Sequence, residues 1–252
     1  MVGIVIVSHS RQLAEGVLEL ARQMAQQPVP LAAAGGIDDP EHPIGTSAVK
    51  VFEAINAVYG DDGVLVLMDL GSALLSAETA LELLDAAQRP HVRLCSAPLV
   101  EGALSAVVQA SIGGTLAQVY AEAQGALATK RAQLAQDMGE APVETAVSAG
   151  EQEIELPVRN RLGLHARPAA RFVAAASQFA ADVRLIKGAR SANAKSINQV
   201  ATLGVRQGDV VRVTAAGADA AAALAAIQAL ADANFGDRDG GEAAAPPAAG
   251  DA

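Results

Sequence analysis

Four short apolar runs, each followed by a stretch of helical periodicity, restrict the fold of this chain more than any other feature. The runs are GIVIV (3–7), VPLAAA (29–34), GVLVLM (63–68) and VRLC (92–95). They are apolar at consecutive rather than alternate positions, which suits strands covered on both faces in a parallel sheet. Between them lie RQLAEGVLELARQM (11–24), TSAVKVFEAINAVY (46–59) and SALLSAETALELLDAA (72–87), in which apolar residues return every three or four positions. A fourth such run follows from Glu101, and 115–136 reads as a long closing helix. Strict alternation of strand and helix predicts a doubly wound α/β domain with a mainly parallel sheet and right-handed crossovers over residues 1–136.

The pattern then stops. DMGEAPVETAVSAGE (137–151) has no periodicity and gathers Gly, Pro, Ser, Thr and acidic residues, as a flexible linker does. From residue 152 the order of elements changes. A strand QEIELPV leads to a helix beginning near His165, two β segments around a glycine in DVRLIKGARSANA, a short helical stretch from Ser196, a strand DVVRVTA and an alanine-rich helix over 218–233. This mixed order predicts an α+β unit with an antiparallel sheet over 152–236. Residues 237–252 are small, polar and Pro-rich and read as a disordered tail.

Composition narrows the partners. The chain of 252 residues has no Trp, two Tyr and four Phe, so it offers no aromatic platform for stacking bases, and nucleic acid is not expected. The first ten residues lack the basic region of a signal peptide, and no apolar run approaches the roughly 18 residues of a membrane span. A single cysteine, Cys95, allows no internal disulfide, which fits a reduced, cytoplasmic setting, and its apolar surroundings read as an inert core thiol. The net charge of −10 is unevenly shared: residues 1–125 hold 5 basic and 14 acidic side chains, net −9, whereas 153–236 hold 10 and 6, net +4.

Of the four histidines, His42 and His91 lie in Pro-containing loops and read as solvated residues. His9 follows the first strand and Asp69 follows the third, so in a parallel sheet both emerge at the carboxyl edge where ligands bind. A carboxylate beside an imidazole fixes its tautomer and leaves the other nitrogen a better nucleophile. Gly71 and Ser72 open the next helix, whose free N–H groups can hold an anion. The plainer alternative is that Asp69 and Ser72 cap a helix while His9 fills a turn. In RNRLGLHARPAARF (159–172), His165 stands at a helix start fixed by Pro168. The backbone amides there, with Ala166 and the guanidinium of Arg167, can stabilise a phosphoryl group; a histidine merely capping the helix is the alternative. No metal-ligand spacing and no Walker sequence is present.

These residues carry a resemblance to known families. GLHARPAARF, followed by NAKSINQVATLGVRQGD, resembles the histidine-containing phosphocarrier HPr of the phosphoenolpyruvate sugar phosphotransferase system. The resemblance places His165 on the phosphorylated histidine, Arg167 on the phosphate-stabilising arginine, and Ser196 where some members carry a regulatory serine. IVIVSHS, AGGIDDPEHPIGTSAVKV, MDLGSALLSAETALELL and RLCSAPLVEGALSA resemble the mannose-class IIA domain, and more narrowly the phosphoryl-donor subunits of phosphoenolpyruvate-dependent dihydroxyacetone kinase. There His9 falls on the phosphorylated histidine and Asp69 on the aspartate that hydrogen-bonds it. The resemblance implies a relay from phosphorylated enzyme I to His165, to His9, and to ADP on a nucleotide-binding kinase subunit that works with a dihydroxyacetone-binding one. It implies no cofactor in this chain, ADP/ATP and Mg being held by the partner, and a homodimer through the IIA-like domain. Longer relatives append an enzyme I-like domain, so the expectation is that enzyme I acts in trans or, alternatively, that the chain is shortened. A sugar-transport IIA/HPr component and a phosphorylation-state regulator are the alternative functions.

Overall fold

In the computed structural model, residues 1–136, 152–160 and 163–236 are described; the predicted linker and tail lie outside them. β1 (Gly3–Ser8) is buried at every position. It forms the centre of a four-stranded parallel sheet with β2 (Leu31–Gly35), β3 (Val64–Met68) and β4 (Val92–Cys95), ordered β2-β1-β3-β4. α1 (Arg11–Met24), α4 (Leu99–Ser111) and α5 (Leu116–Gln136) pack on one face. α2 (Ala48–Val58) and α3 (Ser72–Leu83) pack on the other. Covered twice, the strands contribute to two apolar layers, Ile4 and Ile6 in one and Val5 and Val7 in the other. This is the physical origin of the unalternating apolar runs.

Several boundaries differ from the sequence reading: α3 ends at Leu83 rather than 87 and α4 starts at Leu99 rather than Glu101, and two further differences have local reasons. β2 starts at Leu31 rather than residue 29, because Pro30 lacks the N–H that a ladder needs; only its carbonyl is used, accepting from Ile4 N–H at 2.9 Å. α2 starts at Ala48 because Ser47 is its N-cap, the hydroxyl accepting from Lys50 N–H.

In the second unit, β5 (Gln152–Pro157), β6 (Asp182–Lys187), β7 (Arg190–Asn193) and β8 (Val210–Ala216) form an antiparallel sheet ordered β5-β8-β6-β7. Helices α6 (Ala166–Ser177), α7 (Ile197–Thr202) and α8 (Ala220–Asp232) lie in the same core with Phe172, Leu185, Val213 and Ile227. The α+β layout is as read from the sequence.

The two units touch. Met24 of α1 and Val108 of α4 are buried in the same apolar cluster as the second unit's core, with Leu104 and Ile112 packed against it. Polar contacts run alongside: Ser105 Oγ donates to Asn198 Oδ1 at 2.9 Å, Asn198 Nδ2 donates to the Glu122 carbonyl at 2.6 Å and to its carboxylate at 2.8 Å, and Thr129 Oγ1 donates to the Asn198 carbonyl at 3.2 Å.

Candidate active site: two histidines at strand–helix junctions

The register of β1 on β3 pairs Val7 with Met68, so the residues that follow, His9 and Asp69, leave the sheet at one edge. Asp69 N–H donates to the Val7 carbonyl at 3.1 Å, which holds the two turns together. The Asp69 carboxylate accepts three hydrogen bonds: Ser8 Oγ at 2.9 Å and His9 N–H at 2.9 Å on Oδ2, and His9 Nδ1 at 2.9 Å on Oδ1. A carboxylate can only accept, so Nδ1 carries the proton and Nε2 presents its lone pair. Nε2 lies 2.8 Å from Ser72 Oγ, whose hydroxyl donates to it. Thr46 Oγ1 in turn donates to Ser72 Oγ at 3.0 Å and lies 2.9 Å from Ser76 Oγ.

The ring is thus fixed from both sides. The alternative in which Asp69 caps α3 does not hold: the N-cap is Gly71, with φ 68° and no side-chain cap bond. Ser72 is the first helical residue, so its hydroxyl and the first-turn amides border the space in front of Nε2. The loop after β2 closes the site, Gly36 N–H bonding to the Ser8 carbonyl and Gly45 N–H to that of His9. Arg11, two residues beyond His9, is engaged by Asp38 at 3.1 Å, and Lys50 bonds the same carboxylate at 2.6 Å. Lys50 first and Arg11 with it hold the Asp38 carboxyl below its ordinary range.

His165 is the N-cap of α6, with extended backbone and no capping bond from its side chain, so capping is not what the ring is for. Its position is set by the preceding loop. Leu164 is buried and its N–H donates to the Val205 carbonyl at 3.1 Å. Gly163 has φ 66°, and a Cβ there would meet Val205 O at 2.0 Å, so only glycine fits. Asn160, fully buried, donates from Nδ2 to the Gly163 carbonyl. Ala166 and Arg167 are exposed at the helix start, and Arg167 Nη2 donates to Gln23 Oε1 of the first unit at 3.1 Å.

Ser196 caps α7, accepting from Gln199 N–H at 3.2 Å. It is 6% exposed and hydrogen-bonds the Glu122 carboxyl. Cys95 is buried, and burial pushes its thiol above the ordinary range, as suits the inert role. Among the described residues there is no group of His, Cys, Asp and Glu arranged to hold a metal ion, and no helix long and apolar enough to cross a membrane.

Two family models match, in the order of the two units: the phosphotransferase-system fructose IIA component over residues 3–120, and the HPr component phosphorylation site over 152–233. A phosphoryl donor subunit DhaM of phosphoenolpyruvate-dependent dihydroxyacetone kinase from Klebsiella michiganensis is 49% identical over 258 residues, covering 100% of this chain and 54% of that protein. Its Escherichia coli counterpart is 49% identical over 251 residues, covering 98% and 52%. One from Listeria innocua is 39% identical over 112 residues, covering 44% of this chain and 88% of that protein. The chain belongs to this family of phosphoryl-donor subunits. It spans about half the length of the longer relatives that it matches.

Within this phosphoryl-donor subunit, five residues of the two sites were not singled out from the sequence. Thr46 and Ser76 complete the hydroxyl chain to His9 Nε2, but in the sequence both lie within helical runs and carry no signal of their own. Ser8 is the last residue of a strand. Asn160 and Gly163 lie in NRLGLH just before the helix, where Asn and Gly signal a turn and not chemistry. The structure does not bring His165 and His9 together: each site is complete in its own unit.

Proposed function

We propose that this chain relays phosphoryl groups, receiving them on His165 from phosphorylated enzyme I acting in trans, passing them to His9, and giving them to ADP held by the nucleotide-binding subunit of a dihydroxyacetone kinase. The observation that carries this reading is the His9 site. Its ring has one nitrogen tied to Asp69 and the other, with its lone pair, aimed at Ser72 and Thr46 hydroxyls where a phosphoryl group would sit. In the transfer, the Nε2 lone pair of His9 attacks phosphorus as the P–N bond to His165 breaks, and the His165 ring nitrogen recovers its electron pair. In the next step an ADP β-phosphate oxygen attacks, and the bond to Nε2 breaks. Each step passes through a loose in-line transition state, so catalysis is mostly positioning and charge neutralisation. Ser72, Gly71 and the first turn of α3 supply donors at His9; Ala166 and Arg167 supply them at His165.

In this reading ADP, ATP and Mg are bound by the partner subunit and the chain itself needs no cofactor. It works in the cytoplasm beside the dihydroxyacetone-binding subunit, and pairs with a second copy through the first unit, where α3 leaves Leu75 and Leu83 exposed. The decisive test is phosphoenolpyruvate-dependent labelling with enzyme I. His165→Ala should abolish all label, whereas His9→Ala should keep label on His165 and stop its discharge to ADP on the kinase subunit. Full labelling of His9 in the His165→Ala chain would overturn the order of the relay.

A further inference from the structure

The contact between the units has a geometry that transfer between them cannot use. Arg167 is bonded to Gln23, which lies thirteen residues beyond Ser10 on α1. At about 1.5 Å per residue that is ~20 Å down the helix from the His9 edge. Met24, from the same end of α1, lines one cavity of about 400 Å³ with Leu104, Val108, Leu164, His165 and Ile197. Direct transfer needs the reacting atoms within about 3–3.5 Å. His165 therefore faces the α4/α5 flank and not the site to which its phosphoryl group would go.

The flank is shaped for this occupant. Asn198, in the first turn of α7, makes hydrogen bonds with Ser105, Glu122 and Thr129 on two helices at once. Gly125 of α5 gives the room: the atoms nearest to a Cβ placed there would be Asn198 Nδ2 at 3.1 Å and Cγ at 3.8 Å. Met24 and Val108 are 6% and 2% exposed, covered by the second unit's apolar cluster. Ser196, 6% exposed, lines one cavity with Gln109, Ile112 and Glu122 of that flank.

We propose that the α4/α5 flank is a docking site for the His165 face of the second unit, at which that unit rests between transfers, shielded from an incoming phosphoryl donor and held apart from His9. The dock also shields Ser196, so a kinase could reach that hydroxyl only in the released form. The proposal rests on the relay for what is being shielded, but the dock itself can be measured without it.

The test uses the full chain and two substitutions, one on each side of the contact. Gly125→Leu places a side chain against Asn198 on a helix where Gly is a poor helix former, so the first unit should keep its stability. Asn198→Asp keeps the volume and sets a carboxylate against that of Glu122. In both, small-angle X-ray scattering should show a larger radius of gyration than in the unsubstituted chain, and amide exchange in 122–130 and 197–202 should quicken. Phosphoenolpyruvate-dependent labelling of His165 by enzyme I should then speed up by about tenfold, the shift expected when a tenth-populated open form becomes the main one. Scattering and exchange unchanged in both variants would overturn the dock. An opened chain that is labelled no faster would overturn the shielding. Opening on substitution with no label on any chain would leave the dock standing and sink the relay.

Discussion

Asp69 does three things with two oxygens: it fixes the His9 backbone, the Ser8 hydroxyl and the His9 ring. Only the last bears on chemistry, since it decides which nitrogen holds the proton. Asp69→Asn keeps the shape but can present an amide N–H to Nδ1, which favours the wrong tautomer. Discharge through His9, followed by rapid quench, is expected to fall by about a hundredfold or more, with label still accumulating on His165. Arg167 is exposed and its bond to Gln23 is at the surface, so it contributes little to folding. Arg167→Ala should slow transfer at His165 by about a hundredfold, the cost of losing one donor to developing charge, while the melting temperature hardly moves. An equal loss of both would show that Arg167 is structural.

At the scale of elements, backbone geometry brings each histidine to its place. β1 and β3, parallel and in register, deliver His9 and Asp69 to the same edge. Asn160, bonded to Gly163, and Leu164, tied to Val205, deliver His165 to the start of α6. Gly163→Ala must relieve both a positive φ and a contact of 2.0 Å with Val205 O. Chemical denaturation should report a loss of about 1–3 kcal/mol or more, carried by the second unit, and labelling of His9 by a phosphorylated wild-type second unit in another chain should survive. This level was largely legible in the sequence. The apolar runs and helical spacings located every strand and α-helix among the described residues, because strands covered on both faces and helices covered on one leave different periods. The misses were boundaries, where single residues decide: Pro30 delays β2, and Ser47 caps α2 and so leaves Thr46 outside the helix, free to serve His9.

For the whole molecule, the charge split of the sequence predicts two bodies drawn together by opposite fields. The structure does bring them together, yet none of the hydrogen bonds named at the contact pairs two opposite charges, and apolar residues fill the rest. Two charged side chains take part all the same: Arg167, bonded to Gln23, and, on the α5 side, Glu122. Burial, chiefly, pushes its carboxyl above the ordinary glutamate range, offset in part by hydrogen bonds from Ser196 and Asn198. Lys195, the nearest cation in sequence to Ser196, donates to the Phe179 carbonyl. Because docking raises the affinity of Glu122 for its proton, docking is at full strength below the ordinary glutamate range and weakens as pH rises through the raised value. The radius of gyration should therefore grow with pH over that interval, and Glu122→Gln should remove the dependence by leaving a neutral group at every pH. A wild-type chain whose size is constant with pH would exclude Glu122 as the titrating group.

The sequence by itself determined the two units, their order, the type of each sheet and the place of both histidines just before a helix, since these follow from local periods and from motifs whose residues adjoin one another in the chain. It also placed Asp69 correctly, because the carboxyl edge of a parallel sheet is a consequence of strand direction alone. The tertiary structure decided what depends on residues far apart in the chain. Thr46 reaches Ser72 and Ser76 only because the β2–α2 loop folds over the sheet edge. Asn198 meets Ser105 and Glu122 only because two units pack together. No period or motif encodes a contact of that kind: it depends on which exposed faces fit, and that is fixed by shape once the elements have formed.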